Sequence, residues 1–555
     1  MDTQRLILFI VFSMSLFMLV EAWQRDQQPV KTRQTVTGAQ KDASLPPVPS
    51  DKLAIPAPAA SPQAPSGALA ASPVVTVETD VYRAEISTMG GDLRRLELKQ
   101  HRDIEDDKRN FVLFEQRPGH VYVAQSGLIG GDLPTHRTQF SAPSTGYALA
   151  DGSKTVEVRL EAPPINGVKV QKVYRFHRGS YLIDITFEIA NNGATAIQPY
   201  AYVQLVRDST PPPGDSSMVP TFTGVGVYTD KEKFQKVPFG DIDKGKVAYP
   251  KTSTDGWIAM LQHYFLAAWL PKNGTPREFY TRPVDGLYAA GVIIPAPALQ
   301  PGTAATLEVP LYAGPQEQDK LAQLAPGLDL SIDYGWLTII AVPLFSVLSW
   351  IHQFVGNWGV AIILLTVLLK LIFYPLSEAS YRSMGKMRVL APKLQKLKEQ
   401  YGDDKQRMQQ AMMEIYKTEK INPLGGCLPI VVQIPVFIAL YWVLLASVEL
   451  RHAPFMLWIN DLSRPDPWFV LPVLMGATMI IQTRLNPEPP DPVQAKIMKI
   501  MPIAFSAMFF FFPAGLVLYW LVNNVLSILQ QWNINRRMGA TGKPTPAKIT
   551  PPRKS

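Results

Sequence analysis

The stretch WGVAIILLTVLLKLIFYPL, residues 358–376, is apolar from end to end except at Thr366 and Lys370. A helix of that length rises roughly 28 Å, close to the ~30 Å hydrocarbon core of a bilayer. Trp358 and Tyr374 stand near its ends, where amphipathic rings anchor a span at the membrane–water boundary. The stretch therefore reads as a transmembrane helix, and it makes the C-terminal part of the chain a membrane domain. Lys370 is its anomaly. A lysine well inside a bilayer costs roughly 2.5–3.5 kcal/mol on insertion scales. Snorkelling towards the surface is one explanation, since Tyr374 is only a turn away. Thr366, Lys370, Tyr374 and Ser377 nevertheless recur at three- and four-residue steps, so they share one helix face.

Further apolar runs follow. Residues 428–448 read as a span bent by Pro429 and Pro435, then come 468–482, 500–512 and 516–529, the last two a hairpin closed by Pro513-Ala514-Gly515. The runs 468–482 and 500–512 would be only roughly 20–22 Å long, and short spans thin the bilayer around them. On the N-terminal side, residues 337–351 are apolar but carry Pro343, Ser346 and Ser349, with Trp336, Trp350 and His352 around them. So few residues separate this run from Trp358 that residues 331–356 are expected to hold an interfacial amphipathic helix. Residues 6–20 form another apolar run, flanked by Arg5 and Arg25; Glu21-Ala22-Trp23 lacks a small-x-small cleavage pattern, so 1–23 reads as an uncleaved signal-anchor. Residues 24–73 are rich in Pro, Ala, Ser and Gln and read as an extended tether.

Between tether and membrane domain, residues 74–330 change style. Period-two segments at 76–79, 155–160, 168–174 and 181–187 are separated by turn signals such as Asp151-Gly152, Asn192-Gly193 and Asn273-Gly274. That pattern predicts a large antiparallel β-sandwich. Gly240 to Lys246 fits the spacing of a phosphate-binding loop, but Val247 stands where a Ser or Thr should hold magnesium. A surface turn is expected there instead. The single cysteine, Cys427, excludes an intramolecular disulfide, and none of the seven histidines has HExxH or HxH spacing. No catalytic residue, metal or cofactor is expected.

Charge then orients the chain. Lys and Arg number 54 against 46 Asp and Glu, a net +8. Residues 377–422 hold Arg382, Lys386, Arg388, Lys393, Lys396 and Lys398 among other basic side chains, and the tail 533–555 is basic without an acid. Both should be cytoplasmic by the positive-inside rule. The parity of spans then puts the N-terminus inside and the β-domain outside, provided residues 337–351 do not cross. Residues 377–422 also carry Met384, Met387, Leu390, Leu394 and Leu397, a break at Gly402-Asp403, and then Met408, Met412 and Ile415. This predicts an amphipathic helical hairpin with a Met-rich seam.

The other spans contribute polar groups: Gln433, Ser506, Asn524, and Tyr519, Asn523 and Ser527 at four-residue steps. Single amides in bundles usually join helices; several with a cation point to a wet cavity. No carboxylate lies deep in 358–376, 468–482 or the final hairpin. Tyr374-Pro375-Leu376, Ser383-Met384-Gly385-Lys386, Asn422-Pro423-Leu424-Gly425-Gly426-Cys427, Gln433-Ile434-Pro435-Val436-Phe437 and Phe512-Pro513-Ala514-Gly515-Leu516 together resemble the YidC/Oxa/Alb family of membrane protein insertases, in its Gram-negative YidC type. The resemblance is densest over 357–537. It implies a membrane protein with a five-helix insertase core (357–532), an N-terminal signal-anchor helix and a large periplasmic β-sandwich in the bacterial inner membrane. It also implies a positively charged groove open to cytoplasm and lipid. The groove cation is usually Arg; Lys370 here keeps the charge but loses the bidentate fork. By the same resemblance Lys370, Thr366 and Gln433 line the groove, and Phe437, Met475, Met508 and Trp520 match positions that touch clients, the first three on the slide along which clients leave and Trp520 in the groove; Tyr519, Asn523, Asn524 and Ser527 are assigned to the groove from the polar pattern given above. Trp520 stands where Tyr is common, and Met508 where Phe is. Implied partners are nascent membrane proteins, the Sec translocon, ribosomes and anionic lipids, not DNA. A secondary transporter using Lys370 for an anion is the alternative, but it calls for two equivalent halves with broken helices, and no such repeat is present.

Overall fold

The computed structural model describes residues 72–104, 106–212, 221–401, 404–418, 428–485 and 492–541. The expected signal-anchor, nearly all of the tether, Cys427 and the end of the basic tail lie outside these residues. The chain divides into two compact units, one ending at Ile332 and the other beginning at Asp333.

The first unit pairs a ten-stranded with an eight-stranded sheet. The alternating runs at 155–160, 168–174 and 181–187 fall in the strands Thr155–Glu161, Val168–His177 and Leu182–Asn191, which pair antiparallel in that order. Alternate residues of Leu182–Asn191 are buried, as one face of a half-covered strand requires. The sheets face each other: Tyr82, on the larger sheet, donates its hydroxyl to the carbonyl of Tyr181, beside the smaller, at 2.9 Å. One pairing departs from the antiparallel expectation, since Val74–Glu78 runs parallel to the short strand Gly146–Ala148. The chain reaches that edge by a long connection rather than a hairpin, and such a connection frees the strand direction. The Gly240–Lys246 segment is a short helix, Phe239–Asp243, followed by an exposed turn with Gly245 at φ 63°, so it is a surface feature.

Polar groups are buried between the sheets. Lys172 is fully buried and donates to the carbonyls of Gly90 (2.9 Å) and Ser126 (3.1 Å). Asp92 accepts from Gln125 at 3.1 Å; Gln125 accepts from Gln204, and Gln204 from the Tyr280 hydroxyl, both at 2.9 Å. Burial pushes the Asp92 carboxyl up to about 7, although Lys172 and Arg94 pull it back. Its folded value therefore lies above the unfolded one, near 3.9. The stability this group contributes is complete below the unfolded value and is lost as pH rises towards 7. Burial pushes Lys172 down to about 8, so it stays charged across that window. Asp92→Asn should flatten this dependence. Between pH 5 and 7 the parent β-unit should lose roughly 2 kcal/mol more than the variant, about 5 °C in calorimetric Tm. Parallel pH slopes would contradict the assignment.

The second unit is helical. Its elements are α1 (Thr338–Val355), α2 (Trp358–Ile372), α3 (Tyr374–Tyr401), α4 (Lys405–Thr418), α5 (Leu428–Ala446), α6 (Val470–Leu485), α7 (Pro492–Met508) and α8 (Ala514–Thr541). α8 is the central post, packing on α2, α3 and α6, while α1 packs on α2 and α5. The expected span 358–376 stops early: α2 ends at Ile372, and the chain bends by 63° into α3. Pro375 is the cause, because it has no N–H to continue the ladder and restricts the residue before it. α7 begins ahead of the expected run 500–512, its Lys496 and Lys499 turns being helical, but ends at Met508, with Phe509–Phe511 a 3-10 turn, while α8 starts before the run 516–529 and continues past it through Arg536 and Arg537. α3 and α4 are two consecutive helices that pack on each other within the segment expected to form the amphipathic hairpin. Among the described residues, Gly335–Val355 is long and apolar enough to cross a membrane, as is the bent pair α2 and Tyr374–Ser383 taken together.

Candidate functional site

α2 starts where Asn357 caps it, its side-chain oxygen accepting from Val360 N at 3.0 Å. From that start the 3.6-residue period turns Thr366 and Lys370 towards α8. Thr366 is buried and donates back to Ile362 O at 2.6 Å. One turn on, half-buried Lys370 donates from Nζ to Ser527 Oγ at 2.8 Å. Beside them a small cavity of ≈20 Å³ is lined by Thr366, Leu369, Lys370, Phe373, Gln433, Val436, Tyr519 and Asn523. That is room for about one water. None of these residues is acidic, and among the described residues no carboxylate pairs with Lys370.

Of the residues expected in the groove, five line this cavity: Thr366, Lys370, Gln433, Tyr519 and Asn523. Ser527 joins them through Lys370. Trp520 lies in an aromatic cluster, stacked on Phe437 at 4.3 Å and edge-on to Phe509 at 4.7 Å and Phe505 at 5.6 Å, so α5, α7 and α8 meet there. Asn524 is buried in the seam between α8 and α6, donating to Thr478 Oγ1 at 3.4 Å. Met475 is fully buried on α6, and Met508 is half-buried at the end of α7. Beside Met475, an added Cβ at Gly476 would come within 2.5 Å of Ser506 Oγ, so α6 and α7 approach too closely there for a larger residue. Ser506 itself donates to Pro472 O at 2.9 Å. Residue type did not single out Leu369, Phe373 and Val436. Their one available signal was nearness along the helices: Leu369 precedes Lys370, Phe373 caps the end of α2 three residues after it, and Val436 lies three residues after Gln433.

The opposite end of the bundle is closed by residues 447–469. Asn357 Nδ2 donates to Phe455 O at 2.9 Å, Ala514 N to Arg464 O at 2.7 Å, and Gly515 N to Leu462 O at 2.9 Å. Buried Asp466 accepts from Trp458 Nε1 (2.9 Å), Trp468 N (3.0 Å) and Leu471 N (2.7 Å) at the start of α6. One segment therefore ties together the N-terminal ends of α2, α6 and α8. The β-unit has a larger cavity of ≈210 Å³, walled in part by Tyr228, Asp230, Trp257 and Lys272; its lining has no histidine, cysteine or serine to act with Asp230. Among the described residues no group of three His, Cys, Asp or Glu could hold a metal.

A bundle of apolar helices with a cation and a neutral partner in a polar cleft, joined to a separate β-sandwich, has the make-up of an integral membrane protein with a large domain outside the bilayer. Residues 74–347 match the YidC periplasmic domain, and residues 350–541 match the 60Kd inner membrane protein family. The chain is 57% identical over 553 residues to the membrane protein insertase YidC of Nitrosospira multiformis, with 97% of each chain covered. It is 58% identical over 540 residues to the one from Methylobacillus flagellatus, again with 97% of each covered. Among solved structures it is similar to an active YidC insertase with the first transmembrane domain resolved, at TM-score 0.39 and 16% identity, over 84% of this chain and 93% of that one. The chain belongs to the YidC family of membrane protein insertases, and it is not an enzyme.

Proposed function

We propose that the chain takes the polar extracytoplasmic segment of a nascent membrane protein into the cleft around Lys370 from the cytoplasmic side. The client's apolar segment meanwhile leaves into lipid past the aromatic cluster of Phe437 and Trp520. The observation that carries this reading is the Lys370 ammonium, bonded to a neutral hydroxyl and lining a cavity together with Thr366, Gln433 and Asn523. In low dielectric a fixed cation attracts an acidic client segment and offsets part of its desolvation. The cavity is far smaller than a peptide, so α5 and α8 must separate to admit one. Met475 and Asn524, buried in the bundle, would act on clients only after such a movement.

The proposed topology has both termini in the cytoplasm, spans at 1–23, α2, α5, α6, α7 and α8, and the β-unit in the periplasm. In it α1 lies in the interface. Trp336, Ile339, Pro343, Ser346 and Trp350 recur at three- and four-residue steps and are all exposed. The two tryptophans are roughly 21 Å apart along the helix. Rings on one stripe reach the headgroup level together when the helix lies flat. The basic hairpin and tail would meet ribosomes and anionic lipid, and the chain would act alone or beside the Sec translocon.

The test is reconstitution of the full chain into liposomes lacking the translocon, followed by protease protection of a short single-span client. Insertion above that of empty liposomes is expected. Uptake of small anions without client insertion would overturn the proposal in favour of a transporter.

A further inference from the structure

Ser527 is not part of the cavity lining but bonds to Lys370, which is. Its hydroxyl proton is committed to its own helix, because Oγ donates to Asn523 O at 2.7 Å. The oxygen lone pairs are thereby turned away from the α8 backbone, and Lys370 Nζ donates to them at 2.8 Å. One turn further along α8, Gln530 Nε2 donates to Tyr374 O at 3.5 Å. α8 thus grips both sides of the α2–α3 bend, through Ser527 to Lys370 on α2 and through Gln530 to Tyr374 at the start of α3, and Ser527 is itself buried, 4% exposed.

The need for such a grip follows from the side chain. Lysine carries a point charge on a flexible stem and tends to snorkel towards water. Lys370 has that path open, being one turn from the end of α2. An arginine fork could share its donors among several acceptors; an ammonium held at one place needs an acceptor fixed at that place. A hydroxyl suits this better than a carboxylate, because it orients the ammonium without neutralising it, and lysine keeps further donors for a second acceptor. We propose that Ser527 is the positioning residue that holds the Lys370 ammonium in the cleft, so that an arriving client carboxylate meets a charge already in place. This rests on Lys370 being the client-facing charge.

The test uses the full chain in liposomes and two matched single-span clients, one with an acidic and one with a neutral extracytoplasmic tail. The readout is the ratio of acidic-tailed to neutral-tailed insertion. A structural defect would lower both clients together and leave this ratio alone. Ser527→Ala should lower the ratio about three- to tenfold, the acidic-tailed client losing more than the neutral-tailed one. Ser527→Thr, which keeps the hydroxyl, should restore it. Ser527→Cys, nearly isosteric but a weak acceptor, should give a smaller loss in the same direction, and it serves if Ser527→Ala does not accumulate. Lys370→Ala is measured alongside. If Lys370→Ala leaves the ratio unchanged, the reading of Lys370 falls and takes this inference with it. If Lys370→Ala lowers the ratio but Ser527→Ala does not, or Ser527→Thr fails to restore it, Ser527 has no positioning role and the reading of Lys370 stands.

Discussion

Lys370→Glu is expected to reduce insertion of a client with an acidic extracytoplasmic tail by about tenfold or more. Two unit charges about 5 Å apart interact by roughly 3 kcal/mol at an effective dielectric near 20. Water in the cleft and salt reduce that figure, and about 1.4 kcal/mol remaining is already a factor of ten. Glutamate turns the attraction into repulsion, whereas alanine only removes it, so Lys370→Ala should lie between Lys370→Glu and the parent. Lys370→Arg should insert at close to the parental level, since the charge is kept and the guanidinium can still donate to Ser527. Neutral-tailed clients should separate the variants far less. The measurement is protease-protected client per unit of reconstituted protein, after checking that each variant accumulates. Parental insertion of the acidic-tailed client by Lys370→Glu would exclude the electrostatic role of the cleft.

The parts of this arrangement that were legible in the sequence are those in which a periodicity carries the information. Thr366 and Lys370 share a face because they are four residues apart, and Asn523 reaches the same cavity as Tyr519 for the same reason. The strand Leu182–Asn191 announced itself by alternation. Periodicity fixes a face but not the neighbour it meets. Asn523 and Asn524 are adjacent and chemically identical, yet about 100° of helix rotation sends the first to the cavity and the second to Thr478 on α6. Met475 was expected on a client path, and whether it is lipid-facing or buried depends on how tightly α6 packs, which rests on Gly476 and Ser506 in separate helices. Lys172 is a similar case: an isolated lysine in an alternating strand gives no sign that carbonyls 46 and 82 residues away will satisfy it. The end of α2 was written in Pro375, but continuous hydrophobicity across it masked the break.

Replacing Gly359 by leucine should have the other large effect, on the closed end of the bundle. A Cβ at Gly359 would lie 2.1 Å from Cδ2 of Phe455, 2.5 Å from Cγ and 2.9 Å from Cβ. The clash reaches the root of the phenyl side chain, so a rotamer change cannot relieve it and the backbone of residues 447–469 must lift. Lifting it would break the Asn357 bond to Phe455 O and strain the link from Gly515 to Leu462 on the same segment. Overpacking of this kind typically costs about 1–3 kcal/mol, with roughly 1 kcal/mol more for each buried hydrogen bond lost. Gly359→Leu should therefore lower the melting temperature of the helical unit by several degrees. Because the lifted segment spans the ends of α2, α6 and α8, the variant should also make liposomes leak small ions at a client concentration where the parent does not. Gly359→Ala combined with Phe455→Ala separates the clash from the loss of glycine itself: the methyl group is small, and truncating the ring removes the two nearest atoms, Cδ2 and Cγ, leaving only the 2.9 Å contact with Cβ. That pair should regain most of the melting temperature and the ion tightness lost by Gly359→Ala alone. If Gly359→Leu melts and seals like the parent, the contact with Phe455 does not hold the closure, and the seal must rest on the bonds to Ala514, Gly515 and Asp466.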